Sequence, residues 1–441
     1  MDYYHFLHGQ AATSKSLVLM SQNRHSTIKK VWLLSLMIFV GVSGWMVPQA
    51  YCQTETNSQH TRKLDALPAL IRKDTMLTRI LLDPRYQVQL IVSPVLSELA
   101  PKENNTKVAP SQFISYRYPN ADKPAYFYPA SLVKLPTMLA TFVKLNQLEL
   151  RKWDQYRITY AASAPCQTAV PAKVKGRPNY RPPLLVDYMK QICLVSDNNA
   201  YSRLYEFCGQ SFLNQQLKRW GLPEARIIQR FAPCNYDQNK HTNAIKLYTV
   251  RNNKLRIAYA QPAAHNHAPL SNPAPGARAI GKGYFKYGRY YPTPMDFSRH
   301  NNLPLEDVHQ LFCQLMIRKV PGVTVAQQDS LVKWLGLLPR EGQMGYEKDL
   351  GTYHDSYKKY LVFGTQAQVI NPYPLRIVNI VGQSHGWLSD VALIRGHVVS
   401  VLIYCDEDDI VGDGKYTTEH VGMPFLKRLG EEYLKVFSGT E

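Results

Sequence analysis

Ser131-Leu132-Val133-Lys134 decides how this chain is read. The stretch around it, Tyr128-Pro129-Ala130-Ser131-Leu132-Val133-Lys134-Leu135-Pro136-Thr137, runs on into apolar residues at helical spacing, so the serine and the lysine belong to the first turn of an amphipathic helix. Residues three apart on a helix are neighbours. A serine hydroxyl is a weak nucleophile until a base takes its proton, and a lysine becomes such a base when burial or a second cation lowers its pKa. The pair is a candidate catalytic centre. Further on, Ser196-Asp197-Asn198 follows the apolar run Leu184 to Val195 and precedes a second helical pattern through Tyr201, Leu204, Tyr205 and Phe207. A short break between helices presents a second hydroxyl and an amide, while the aspartate holds the turn through backbone hydrogen bonds.

These two motifs, in this order, resemble those of the serine β-lactamase and penicillin-binding protein superfamily, and in particular of its class A β-lactamase-related serine hydrolases. The resemblance spans Pro84 to the C-terminus and includes Leu194-Val195-Ser196-Asp197-Asn198-Asn199-Ala200 as the second motif. It implies that Ser131 is the acyl-accepting nucleophile, Lys134 its proton acceptor, Ser196 a proton shuttle to the leaving group and Asn198 a contact to the substrate amide. The implied oxyanion donors are the backbone N–H groups of Ser131 and Gln383, which do not depend on side-chain identity.

Two departures from the family pattern stand out. The third motif, lysine then Thr or Ser then Gly on an edge strand, is matched best by Ile380-Val381-Gly382, followed by Gly386 and Asp390, so isoleucine replaces the lysine. Lys134, His385 and Arg376 are the alternative sources of positive charge. The loop that carries the deacylating glutamate in class A enzymes is matched by Arg230-Phe231-Ala232-Pro233-Cys234-Asn235, where Ala232 takes the place of the general base. Removing a positioned general base costs about 10²–10⁴-fold in rate, so an acyl-enzyme formed here is expected to be long-lived. Glu224 and Asp237 are close in sequence to this loop.

Lys29 and Lys30 precede an apolar run from Val31 to Val47, and a polar stretch then leads to Cys52-Gln53. This order reads as a secretory signal, with a retained membrane anchor as the alternative. Export to the periplasm or cell envelope fits the rest of the composition. Beyond the signal lie Cys166, Cys193, Cys208, Cys234, Cys313 and Cys405, an even set that permits disulfides in an oxidising compartment or buried free thiols. No pair has C-x-x-C spacing, His265 and His267 lie in a Pro-rich loop, and no metal or cofactor is expected.

The net charge of +19, from 52 basic and 33 acidic residues, suits a protein working beside anionic envelope polymers or lipid. Gly276 to Arg299 mixes Arg278, Lys282, Lys286 and Arg289 with Tyr284, Phe285, Tyr287, Tyr290 and Tyr291. Such a mixture stacks on bases and neutralises phosphates, but export argues against nucleic acid as a partner. The expected partner is an amide or ester substrate, a peptide or small molecule, peptidoglycan-derived or a β-lactam.

The fold expected is a mixed α+β one, with an antiparallel sheet of about five strands flanked by helices plus an all-helical lobe. Strands are expected at Arg85 to Val92, Gln112 to Tyr118, Arg376 to Val381, Trp387 to Ile394 and Val398 to Tyr404, and a closing helix at Glu419 to Val436. Residues 1–52 form an N-terminal extension and signal, and 53–441 a hydrolase domain. Its sheet lobe is 53–130 plus 371–441, and its helical lobe 131–370 includes a Pro- and Tyr-rich insertion at 251–302. The acidic run Cys405-Asp406-Glu407-Asp408-Asp409 reads as a solvated hairpin end. Three functions fit: a serine hydrolase with altered recognition, a class A-like β-lactamase, and a catalytically impaired envelope binding module.

Overall fold

The computed structural model describes residues 68, 71–95, 116–119, 125–163, 166–267, 278–364, 369–371 and 375–437. The expected signal segment and Cys52 lie outside these. Among the described residues no helix is long and apolar enough to cross a membrane.

The scaffold is a five-stranded antiparallel sheet made from both ends of the chain. Strands β1 (Gln89–Pro94) and β2 (Tyr116–Tyr118) pair with β3 (Val378–Ser384), β4 (Trp387–Ile394) and β5 (His397–Tyr404) in the order β3-β4-β5-β1-β2. Every residue of β5 is buried, although side chains alternate between the two faces of a strand. The reason is that both faces are covered. Val398, Leu402 and Tyr404 pack into the core shared with the helical lobe, whereas Val399, Val401 and Ile403 pack into a second core. There they meet α1 (Thr75–Leu82) and the C-terminal helix, whose Phe425, Leu426, Leu429 and Tyr433 form an apolar stripe.

The helical lobe is built around α2 (Lys134–Gln147), buried along Leu135 to Val143. A helix that is apolar on all sides is a core helix, so its first residue is drawn inside with it. Around α2 lie α3 (Leu185–Val195), α4 (Asn198–Cys208), α5 (Gln210–Arg219), α6 (Leu305–Met316) and α7 (Val325–Gly336), and α8 (Met423–Phe437) closes the chain on the far side of the sheet.

Several expectations need correction. The first strand begins at Gln89 because Pro84–Tyr86 forms a 3-10 turn, β3 begins at Val378, and a π-turn at Thr418–Gly422 delays the last helix to Met423. The middle of the chain is not wholly helical. Arg157–Tyr160, Ile245–Arg251 and Lys254–Gln261 make a second antiparallel sheet of three strands. Its hairpin turns at Asn252 and Asn253, which both take positive φ, at 50° and 56°. The supposed insertion therefore contributes a strand, and a further hairpin at Gly283–Lys286 and Arg289–Tyr291. The acidic run is not simply solvated either: Cys405 and Asp406 are buried, and Ile410–Val411 pairs in parallel with Gly283 and Tyr284.

Candidate active site

Ser131 sits on a 3-10 turn, Ala130–Val133, immediately before α2 rather than within it. Ala130 has φ of 44°, and Ser196, which ends α3, has φ of 55°. Non-glycine residues in this left-handed region cost about 1–3 kcal/mol each and persist where the surroundings over-determine them. At Ser196 they do. Its N–H donates to Ile192 O at 2.9 Å, while Asp197 caps α4 by accepting from Ala200 N–H at 2.6 Å.

The two turns converge on Lys134, which has no exposed surface. Its Nζ lies 2.8 Å from Ser131 Oγ, 2.9 Å from Ser196 Oγ, 2.5 Å from Ser196 O and 2.8 Å from Asn198 Oδ1. Two of these partners, a backbone carbonyl and an amide carbonyl, only accept. A neutral amine has two hydrogens and one lone pair. Once the hydrogens are given to the two carbonyls, the lone pair is left to accept from one or the other hydroxyl at a time. Burial pushes the Lys134 amine well below the ordinary lysine range; positive charge on Lys358 adds to this and Asp197 opposes it.

Edge strand β3 passes close to the nucleophile turn at Gly382. A Cβ there would lie 2.7 Å from Ser389 Oγ and 2.8 Å from Pro129 O, so only glycine lets the strand approach. Ile380 is buried in the core, as a strand residue facing inward would be. Gln383 is exposed one residue beyond Gly382.

Of the alternative cations, Arg376 is engaged by the Glu341 carboxylate at 2.8 and 2.9 Å. His385 packs edge-on to Tyr128 and Phe297, and burial lowers its pKa to about 4, so it is neutral at pH 7. The sequence reading missed two lysines that are buried nearby. Lys358 donates to Ile192 O at 3.2 Å and to Cys193 O. Lys359 donates to Leu335 O, Ile377 O and Asn379 Oδ1 at 2.7–2.9 Å, and Asn379 Nδ2 in turn donates to Asp390 at 2.8 Å.

The loop at Arg230 to Asn235 is pinned from several sides. Arg230 pairs with Glu206 at 2.6 Å with neither side chain exposed, Phe231 N–H donates to Ser202 Oγ at 3.1 Å, and Cys234 is bonded to Cys166. Cys193, Cys208, Cys313 and Cys405 are buried free thiols, so the six cysteines divide between the two expected states. What the loop offers Lys134 is the Phe231 ring, whose centroid is 5.3 Å from Nζ. Asp237 pairs with Lys240 at 2.8 Å, and Glu224 contributes its carbonyl to Asn302 at 2.5 Å. Among the described residues no group of three His, Cys, Asp or Glu side chains is arranged to hold a metal ion.

Residues 120–259 match the model described as the beta-lactamase enzyme family. Among solved structures, a β-lactamase from Sphaerobacter thermophilus aligns at 13% identity over 86% of this chain and 98% of its own, with a TM-score of 0.42. A β-lactamase from Desulfarculus baarsii aligns at 11% identity over 87% of this chain and 100% of its own, with a TM-score of 0.44. A class A β-lactamase from Mycobacterium abscessus aligns at 13% identity over 86% and 100%, with a TM-score of 0.43. No curated protein matches the chain.

Proposed function

We propose that this chain, whose residues 120–259 match the model of the beta-lactamase enzyme family, is an exported serine hydrolase that forms an acyl-enzyme at Ser131. The observation that carries the reading is the Lys134 amine, buried, drawn toward its neutral form and within 2.9 Å of both serine hydroxyls. Ser131 Oγ attacks the carbonyl of an amide or ester and gives its proton to Lys134 Nζ. Ser196 Oγ, on the same amine, passes a proton to the leaving group. The oxyanion is held by the N–H groups of Ser131 and Gln383, a role that the close approach of Gly382 to Pro129 O supports. Asn198 and Gln383 contact the substrate.

Hydrolysis of the acyl-enzyme is the slow half. The loop turns Phe231, not a carboxylate, toward Lys134, and Ala232 has nothing with which to activate water. An amide or ester of the cell envelope, peptidoglycan-derived or a related peptide, fits a slow acyl-transfer enzyme better than rapid drug hydrolysis does. The Lys29–Val47 segment, as a signal or an anchor, supplies the route of export.

The test is to incubate the mature protein and a Ser131→Ala variant with a fluorophosphonate and a fluorescent penicillin and to follow adducts by intact mass. Fluorophosphonate labelling lost in the variant is the expected result. Rapid penicillin turnover without an accumulating adduct would identify a β-lactamase instead, and the absence of any Ser131-dependent adduct would leave a binding module.

A further inference from the structure

Lys358 is a buried cation in an unusual setting. Its side chain is sealed, with the residue 3% exposed, and its amine is held by the carbonyls of Ile192 and Cys193 at the C-terminal end of α3. A helix C-terminus carries partial negative charge on its unpaired carbonyls, so this end of α3 is a natural seat for a lysine. The seat is also mechanically coupled to the active site. Ile192 O accepts from both Lys358 Nζ and the N–H of Ser196, and Ser196 gives its own carbonyl and hydroxyl to Lys134 Nζ. A single shared carbonyl therefore separates Lys358 from the residue that grips the catalytic amine.

We propose that Lys358 is a positioning residue for acyl transfer at Ser131: seated on the Ile192 carbonyl from which the Ser196 turn also hangs, it keeps a positive charge behind Lys134. This rests on the hydrolase reading above. It also accounts for a neutral amine in a chain whose edge strand offers Ile380 near the site. The groups that act on the two amines are few. Lys134 feels Lys358 and, in the opposite sense, Asp197 of the α4 cap. Lys358 feels the Cys193 thiol of α3 and the Asp390 carboxyl of β4, both of which favour its charge. Lys359, its chain neighbour, feels Lys358 as a repelling charge.

Burial lowers the Lys358 pKa to about 8, which gives the proposal a pH signature. Below that pH Lys358 is charged and opposes protonation of Lys134; above it the charge is gone. Removing the charge should therefore raise the pKa of Lys134, but only where Lys358 was charged to begin with. On the acid limb, a higher Lys134 pKa leaves less of the neutral amine at a given pH, so labelling slows there.

The experiment is the rate of fluorophosphonate labelling of Ser131 against pH, from 5.5 to 9.5 (roughly the range over which His to Lys groups titrate), in wild type, Lys358→Met, Lys358→Gln and Lys358→Arg. Thermal melting checks that each is folded. The expected result is an acid limb displaced to higher pH in the Met and Gln variants, with slower labelling along that limb and convergence on wild type above pH 8. Lys358→Arg should keep the wild-type limb. A reduction by one factor at every pH, or no change in the two neutral variants, would overturn the proposal and leave Lys358 a structural residue. If Met disrupts folding, Gln, which retains donors for the two carbonyls, carries the test. Wild type that shows no Ser131-dependent labelling would overturn the hydrolase reading itself, an outcome separate from normal labelling with coincident profiles.

Discussion

Lys134 has two different sides. Toward the turns at Ser131 and Ser196 it meets two hydroxyls and two carbonyls within 2.9 Å, whereas toward the loop at Arg230 to Asn235 it meets the Phe231 ring. In the proposed mechanism the first side takes a proton from one serine and returns it to a leaving group through the other. The second has no carboxylate with which to prepare a water. In the proposed mechanism, forming an acyl-enzyme and releasing it fall to these two separate elements, and the loop lacks the carboxylate that the second would use.

The comparison breaks most sharply at Lys134. Lys134→Met removes the proton acceptor, and acylation of Ser131 by a fluorophosphonate is expected to slow by about 10²–10⁴-fold, read from the rate of adduct formation. In the same wild-type assay the rate should fall as pH drops through the depressed lysine pKa, because the protonated amine has no lone pair to offer. It should hold steady above that pKa until other groups titrate.

Next comes the frame that holds the loop. Glu206→Ala leaves the Arg230 charge sealed in the interior without its partner. Breaking a buried pair in this way costs about 3–5 kcal/mol, and should appear as a lower urea midpoint with the slope unchanged. A smaller but more local effect is expected at the edge strand. Gly382→Ala would set a methyl group against Pro129 O, which as backbone cannot step aside. Labelling of Ser131 should fall by about tenfold or more, as loss of an oxyanion donor would make it, and the clash should also cost about 1–3 kcal/mol of stability, read as a lower melting temperature. The smallest effect sharpens the contrast directly: Ala232→Glu restores a carboxylate on the loop, and the penicilloyl adduct at Ser131 should decay about tenfold faster by intact mass.

The serine, lysine and second serine were legible because their chemistry imposes a spacing: three residues on one turn, and a cap between two apolar helices. The sheet was legible from its apolar runs, as at Trp387 to Ile394, where sequence and structure agree on the bounds. Other parts leave no comparable trace. Lys358 and Lys359 are satisfied mostly by backbone carbonyls, which any residue supplies, so nothing in their sequence neighbourhood signals burial. The pairing of Cys166 with Cys234 is decided by tertiary approach across 68 residues. The hairpin from Ile245 to Gln261 did leave a sign, since Asn252-Asn253 suits a two-residue turn with both residues at positive φ. Its half-exposed strands carry too many lysines and arginines to stand out as apolar runs.

The central claim is that Lys134 is a neutral amine when it meets Ser131. Lysine-specific ¹³Cε NMR, with Lys134→Arg to assign the resonance, measures this directly. A resonance that titrates well below the ordinary lysine value of about 10.4, and moves higher in Lys358→Gln, is the predicted result. A Lys134 resonance that titrates in the ordinary range would contradict it.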